Sequence, residues 1–494
     1  MDKGVDYNRA AKTTVLFSVV QVVRMAVALI KNKFIAILLG PSGMGIMGVF
    51  TTIMNFIKTG AGLGISQSAV RDISEAFGCD DKEKFSRVIT LTNQIVFYTS
   101  LLGLIVTVAM SPLLSRWGFG NDNYTISFIL LGFAVAADIY AENQLAILKG
   151  MRRLRSLAKA SIIGTVVALV TGVPLFFLWG NNGIVPSILI SSFSALLVSN
   201  YYVRQIPFDN FNLSFKEIVK EGHPMVKMGV ALMLINFLGY FFDLIIVAAL
   251  RKLGGLDEVG YYQAGTTIIT SYFGIVLTAM TTDYYPRISA VHFDNERLKE
   301  EMNAQIRIGL AMIFPLAVVF VGFASLFIPL LYSSSFNSVI EYTDVAVLGV
   351  FFGMTSNCVA MILIAKQNSR SFLSIAIFVR LVTLVIYIGL YYLLGLRGLG
   401  LAYLFNVILQ LVVYTLTMRK QYQITLDRSI IKLMLTLASY TVLAIIVKFV
   451  PIISIMYSIQ VVLFFFSVVY TLRELKKMNV DFVKFIKTKI SKQK

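Results

Sequence analysis

Apolar residues fill most of the chain in runs of about 20 to 28, and short polar breaks separate the runs. About 20 consecutive apolar residues are enough for one helical crossing of a bilayer. Helix-ending residues mark the breaks, for example Gly40-Pro41, Gly180-Asn181-Asn182-Gly183 and Gly254-Gly255. The pattern predicts fourteen membrane helices, at about residues 13–39, 44–70, 86–112, 124–149, 157–179, 182–203, 225–250, 259–284, 304–331, 340–365, 371–394, 397–418, 429–450 and 453–473.

Composition leads to the same class of protein. Of the 494 residues, 57% are hydrophobic and only 14% are charged, which excludes an ordinary soluble domain. Inside lipid, a helix satisfies all of its own backbone hydrogen bonds, whereas an irregular segment does not. We therefore predict an all-α, polytopic membrane protein.

The chain repeats part of itself at an offset of 215 residues. Residues 40–74 align without gaps to residues 255–289, with seven identities in 35 positions. This register superposes the first two spans on the seventh and eighth. Six spans separate the copies, so both copies run in the same direction, which predicts two lobes related by an axis along the membrane normal.

The repeat gives a domain organisation. We expect an N-terminal six-helix lobe at residues 1–222 and a C-terminal six-helix lobe at residues 223–422. Two additional helices follow at residues 423–474, and residues 475–494 form a basic cytoplasmic tail that lies on the membrane surface. Substrates of such two-lobed transporters bind between the lobes, near the middle of the bilayer.

Lys and Arg residues give the orientation. With residues near span ends assigned to the nearer side, 34 of the 44 lie on the side of the N-terminus, seven lie opposite and three lie inside spans. This bias predicts that both termini are cytoplasmic. It also accounts for the net charge of +18 through topology and attraction to anionic lipids, so we expect no nucleic-acid partner.

Two cations lie in the middle of consecutive apolar spans. Arg24 is central in the first span and Lys58 is central in the second. A charge at the centre of a membrane helix costs about 2.5–3.5 kcal/mol on insertion scales, and such residues usually face a wet cavity, a partner charge or a substrate. We interpret the pair as part of a central cavity that receives an anion.

Other polar residues share faces with these cations. Gln21 and Lys31 lie on the same face as Arg24, and Asn55 lies on the face of Lys58. At the equivalent places of the second repeat, Asn236 and Asp243 lie on span seven and Gln263 lies on span eight. The predicted substrate-binding residues of the central cavity are Arg24, Lys58, Lys31, Gln21, Asn55, Asn236, Asp243 and Gln263.

Acidic residues within the spans leave alternatives open. Asp138 and Asp243 are candidates for binding a coupling cation, H⁺ or Na⁺, but each could instead be the structural partner of a cavity cation. Glu142, one turn after Asp138, is interpreted as part of a salt bridge at the helix end. Arg380 lines a cavity in the second lobe or bonds neighbouring helices to each other.

Several kinds of site are excluded by the motifs. Gly43, Gly45 and Gly48 match G-x-G-x-x-G, but they join two membrane helices, so we interpret them as a tight turn with close helix packing. No nucleotide-binding P-loop is present. Two cysteines and two histidines, far apart in the sequence, predict no metal site, and we expect no other cofactor.

Three segments resemble a known family. They are Leu38-Leu39-Gly40-Pro41-Ser42-Gly43-Met44-Gly45, Val259-Gly260-Tyr261-Tyr262-Gln263-Ala264 and Tyr284-Tyr285-Pro286-Arg287-Ile288-Ser289. They resemble bacterial polysaccharide flippases of the O-antigen translocase (Wzx) type, within the multidrug/oligosaccharidyl-lipid/polysaccharide (MOP) exporter superfamily. The resemblance covers essentially the whole chain and implies a V-shaped, two-lobed transporter that works by alternating access.

The resemblance also implies a substrate and a location. The cargo would be a polyprenyl-diphosphate-linked oligosaccharide, such as an O-antigen repeat unit of lipopolysaccharide, moved from the cytoplasmic to the outer leaflet of the bacterial inner membrane. Membrane lipids and the polysaccharide polymerase machinery would be its other partners. The protein would be a transporter and not an enzyme. The alternatives are an ion-coupled multidrug exporter of the same superfamily and a flippase for the peptidoglycan precursor.

Overall fold

The protein is built from α-helices, as a computed structural model shows for residues 7–79, 81–209 and 211–478. These residues include no β-strand, and short 3₁₀ or π turns lie at Gly180–Gly183, Ile268–Tyr272 and Ser334–Phe336. The helices are α1 (Tyr7–Leu38), α2 (Gly40–Ala61), α3 (Ile65–Gly78), α4 (Lys82–Ala109), α5 (Ser111–Phe119), α6 (Thr125–Gly150), α7 (Leu154–Trp179), α8 (Ile184–Arg204), α9 (Phe215–Thr267), α10 (Gly274–Ala290), α11 (Asn295–Gly322), α12 (Ala324–Leu331), α13 (Val339–Ala365), α14 (Ser369–Tyr422), α15 (Arg428–Val447) and α16 (Ile453–Lys477).

The predicted all-α membrane class is confirmed. Among the described residues, nine helical stretches are long and apolar enough to cross a bilayer, and the bent pair α2–α3 makes a tenth. Three of the nine run for 51 to 63 residues, although about 20 residues cross a bilayer. Each of these three is broken by a glycine with positive φ, at Gly180, Gly255 or Gly395, and is long enough for two crossings. The exact number of fourteen spans stays a prediction.

The second predicted span is not one continuous helix. Residues 44–70 were expected as a single element, but the helix breaks after Ala61 and restarts at Ile65, with a bend of 49°. Leu63 and Gly64 both adopt left-handed backbone conformations, with φ of 49° and 64°. A Cβ atom on Gly64 would lie 2.2 Å from the backbone oxygen of Gly229 in α9. The glycines here therefore permit both a bend and a close helix contact.

Aspartate side chains cap the helices that form the third predicted span of each repeat, α4 and α11. Asp81 accepts hydrogen bonds from the backbone N–H groups of Glu83 and Lys84, both at 3.0 Å, and so caps α4. Asp294 caps α11 in the same way, through Glu296 and Arg297 at 3.0 and 3.1 Å. These bonds satisfy N–H groups that have no partner inside the helix.

The chain divides into two compact units. The first comprises Met1–Gly260 with Leu331–Ser333, and in it α6 packs against α3, α4 and α8, while α7 packs against α1 and α8. The second comprises Tyr261–Leu330 with Ser334–Lys494, and in it α11 packs against α10, α13, α15 and α16. The lobes expected at residues 1–222 and 223–422, and the additional helices expected at 423–474, stay a prediction. The tail expected at 475–494 lies mostly outside the described residues.

Backbone geometry supports the repeat of 215 residues. Residues with left-handed φ recur at this offset: Gly40 and Gly255 at 66° and 86°, and Gly180 and Gly395 at 53° and 58°. A third pair has no glycine: Arg152 and Gln367 have φ of 55° and 57°.

The hydrogen bonds around this third pair are also repeated. The N–H of Arg153 donates to the oxygen of Leu148, and the N–H of Asn368 donates to the oxygen of Leu363, both at 2.9 Å. Both bonds are of the kind that closes a helix C-terminus. The repeat therefore extends well beyond the segment that shows sequence identity.

The start of α2 crosses the second half of α9 at two glycines. A Cβ atom on Gly45 would lie 1.9 Å from the backbone oxygen of Leu256, and one on Gly260 would lie 2.0 Å from that of Pro41. The offset of 215 residues makes Gly45 equivalent to Gly260, and Pro41 equivalent to Leu256. The contact is therefore reciprocal, and each glycine leaves the space that the other repeat's backbone occupies. This explains Gly45 in the G-x-G-x-x-G match.

We predict that Gly45→Ala destabilises the protein by about 1–3 kcal/mol, because the added methyl group meets a backbone atom that cannot move aside cheaply. A fall in the thermal unfolding midpoint of purified protein would show this. Gly389→Ala is the matched control, since no atom lies within 4 Å of the position that a Cβ would occupy there. An unchanged midpoint for Gly45→Ala would contradict the crossing.

Candidate functional site

Two cations on the first helix, Arg24 and Lys31, were predicted to line the central cavity. Arg24 and Gln21 are exposed, and Lys31, on the same face, is half-buried. Among the described residues, neither Arg24 nor Lys31 forms an ion pair. An uncompensated cation within a membrane helix is costly. These side chains are therefore suited to bind an anion.

Lys58 has a counter-ion on a neighbouring helix. Its Nζ atom lies 2.8 Å from Oε1 of Glu142 on α6, and the Lys58 side chain is 21% exposed while that of Glu142 is 51% exposed. Glu142 was predicted to form a salt bridge at the helix end, and a partner inside the bundle was not foreseen. The alternative partner for Lys58, Asp138, lies near the same ammonium group without being its direct ion-pair partner.

Asp138 and Tyr240 complete the surroundings of Lys58. Asp138 is half-buried and lies beside the hydroxyl group of Ser192 on α8. Tyr240, on α9, is close enough to interact with Lys58 electrostatically. Asn55, one turn before Lys58, is half-buried. The first unit therefore holds one cation on α2 together with two carboxylates on α6, beside Tyr240 of α9.

The first part of α9 brings two more predicted residues into the first unit. Asn236 is exposed and Asp243 is half-buried. This helix is fixed against α2 by aromatic packing, since the rings of Phe56 and Phe237 stack at 4.7 Å. The predicted residues Lys58, Asp138, Asn236 and Asp243 thus belong to one compact unit, although they come from three helices.

Gln263 and Arg380 belong to the second unit. Gln263 is half-buried, and its carbonyl oxygen accepts a hydrogen bond from the hydroxyl group of Thr267 at 2.7 Å. A π turn at Ile268–Tyr272 follows directly. Arg380 is exposed on α14 and lies near the phenol of Tyr414. Local π turns often occur at functional sites.

A buried carboxamide cluster, which was not predicted from the sequence, lies in the first unit. Asn143 and Gln144 on α6 are 0% and 1% exposed. Their amide groups donate to Oδ1 of Asn93 on α4, at 2.8 and 3.3 Å. The cluster lies next to Glu142 along α6 and holds α4 and α6 at a fixed distance. The sequence signal was weak, because Asn93 and Asn143 lie far apart along the chain.

Two ion pairs away from Lys58 were also not predicted from the sequence. At the start of α4, Arg87 donates two hydrogen bonds to Glu221 of α9, at 2.9 and 2.6 Å. In the second unit, Lys448 donates to both carboxylate oxygens of Asp344, each at 2.7 Å, which joins the end of α15 to α13. Both pairs connect helices and need no ligand.

We predict that Asn93→Ala costs about 1–2 kcal/mol of stability, because two buried amide groups on α6 lose their acceptor. Thermal unfolding of the purified protein measures this. Asn337→Ala removes an exposed carboxamide and provides the comparison. Equal midpoints for the two variants would show that the cluster does not hold α4 and α6 together.

Comparisons with known proteins agree with this architecture. Residues 34–341 match the family described as "Polysaccharide biosynthesis protein". The chain is 20% identical over 287 residues to the "Lipid III flippase" of Escherichia coli (strain K12), across 56% of this chain and 67% of that protein. The corresponding "Lipid III flippase" of Shigella flexneri matches with the same values.

Solved structures show the fold. A structure titled "Lipid II flippase MurJ, inward closed conformation" superposes with a TM-score of 0.75 at 13% identity, covering 94% of this chain and 99% of that one. An inward-facing multidrug resistance MATE family transporter of the MOP superfamily gives a TM-score of 0.60 at 18% identity, covering 84% and 99%. The resemblance noted in the sequence is confirmed: the fold is that of MOP superfamily transporters, and the chain belongs to the polysaccharide biosynthesis protein family.

Proposed function

We propose that the protein is a flippase that moves a polyprenyl-diphosphate-linked oligosaccharide from the cytoplasmic to the outer leaflet by alternating access. The polyprenyl chain stays in lipid while the sugars and the diphosphate cross in a polar cavity. An O-antigen repeat unit or a similar glycan is the proposed cargo. Arg24, Lys31 and Lys58 neutralise the diphosphate, and Gln21, Asn55, Asn236, Asp243 and Gln263 contact the polar part of the cargo.

The observation that carries this proposal is the pair of cations on α1. Arg24 and Lys31 have no ion-pair partner among the described residues, yet they interrupt an apolar helix. Arginine binds phosphate oxygens with two parallel hydrogen bonds, and lysine adds a compact positive charge. An anion that must cross the bilayer compensates these cations, and in return they lower the cost of its passage.

The comparisons support the same class of substrate. The similar proteins include flippases named for lipid III and lipid II. Membership of the polysaccharide biosynthesis family is consistent with a glycan attached to the lipid. A flippase for the peptidoglycan precursor remains the alternative that the similarity to the lipid II flippase favours. A multidrug exporter is less consistent with α1, because a site for cationic drugs needs carboxylates where α1 has cations.

The remaining parts of the proposal concern location and energy. The proposed location is the bacterial inner membrane, with both termini in the cytoplasm, and the bias of Lys and Arg supports this orientation. Asp138 or Asp243 binds a coupling cation, H⁺ or Na⁺, if transport is coupled to an ion gradient. The polysaccharide polymerase machinery is the proposed partner that consumes the cargo. Arg380 lines a polar region of the second lobe.

We predict that Arg24→Ala and Lys58→Ala each abolish surface glycan in a strain that lacks its own flippase, because the diphosphate loses a compensating charge at mid-bilayer. Glycan is measured on cells that contain equal amounts of each variant. Lys432→Ala, which removes an exposed cation at the start of α15, is expected to retain wild-type glycan. Full activity of both cavity variants would exclude the proposed anion site.

We also predict that the purified protein retains a polyprenyl-diphosphate glycan. Native mass spectrometry of protein from cells that make the glycan should show this adduct, and Arg24→Ala should reduce its occupancy at least about tenfold, as loss of a charge-assisted pair implies. Retention of a drug-like cation in place of the glycan lipid would favour the multidrug alternative.

A further inference from the structure

The ion pair between Lys58 and Glu142 is asymmetric. Lys58 is 21% exposed and Glu142 is 51% exposed, although their charged atoms lie 2.8 Å apart. Glu142 can therefore leave the pair and be hydrated, whereas Lys58 stays enclosed by α2, α6 and α9. Asp138 lies near the same ammonium group but does not form the ion pair.

This asymmetry matters because a lone buried charge is costly. Removing one partner of a buried ion pair leaves an uncompensated charge, which strongly destabilises a protein. Lys58 therefore needs an anionic partner when no cargo is present, and Glu142 is that partner. Arg24 and Lys31 have no such anionic partner within the described residues.

We propose that Glu142 is a displaceable counter-ion: it forms an ion pair with Lys58 between transport cycles, and the diphosphate of the cargo replaces it. This inference rests on the proposed function, since it assumes that Lys58 meets a lipid diphosphate. Any anion must first displace Glu142, so the apparent affinity of every anion falls by the same factor. A strongly binding diphosphate still fills the site, whereas the abundant, weakly binding phosphate groups of membrane phospholipids do not. Glu142 thus sets the minimum affinity that an anion needs in order to occupy Lys58.

Binding of farnesyl diphosphate to purified protein tests the exchange. Glu142→Gln should lower the Kd about two- to fivefold, the range expected for losing competition from a partly exposed ion pair. The same substitution in a Lys58→Ala background should have no effect, because the competition acts only through Lys58. Glu221→Gln, which removes the carboxylate partner of Arg87 outside the site, should leave the Kd at the wild-type value.

A second readout uses the lipid that the exchange excludes. Native mass spectrometry of protein mixed with phosphatidylglycerol should show more bound lipid for Glu142→Gln than for the wild type. If Glu142→Gln unfolds, Glu142→Asp replaces it: the charge is kept but the reach is shorter by one methylene, so binding should be modestly tighter than in the wild type.

Three results would overturn the inference. They are a Kd that is unchanged or weaker in Glu142→Gln, the same tightening in the Lys58→Ala background, or no gain of phosphatidylglycerol. If wild-type protein binds farnesyl diphosphate and Lys58→Ala weakens it, such a result rejects only the role of Glu142. If wild-type protein binds no lipid diphosphate, the proposed function fails as well.

Discussion

The cost of placing a charge inside a bilayer is the constraint on which the rest of the structure depends. The protein meets it in two ways. Lys58 and Lys448 each lie within 3 Å of a carboxylate, so their charges are compensated inside the protein. Arg24 and Lys31 are not compensated within the described residues. The first arrangement holds helices together, and the second leaves positive charge for a ligand.

The two ion pairs, Lys58–Glu142 and Lys448–Asp344, place different demands on the scaffold. A permanent pair such as Lys448 and Asp344 can be enclosed, and both of its members are largely buried. An exchangeable pair needs one member that water can reach, as is true of Glu142. The carboxamide cluster on the adjoining turn of α6 fixes the helix from which Glu142 projects. Rigid neighbours and one hydrated side chain are together what an exchange of partners requires.

The sequence was sufficient for the helical class and for most helix ends. Gly40, Gly180 and Gly255 interrupt apolar runs, and only glycine adopts their left-handed backbone at little cost. The partner of Lys58 could not be predicted, because Asp138 and Glu142 lie on the same face of α6 and the choice depends on the relative height of two helices. The break in α2–α3 was not predicted either, since glycines in this part of the span also favour close packing, as Gly64 does against Gly229. The full extent of the repeat could not be recognised from the sequence. At Arg152 and Gln367, for example, the two repeats have the same backbone φ but different residues.

The reciprocal crossing at Gly45 and Gly260 has a consequence for how such proteins diverge. Each glycine makes room for the backbone of the other repeat, so a side chain at either position would push both helices apart. Once the helices are apart, the second glycine no longer has a backbone to accommodate. Selection therefore acts on the two positions as one: in related sequences both should stay small, or both should be replaced together.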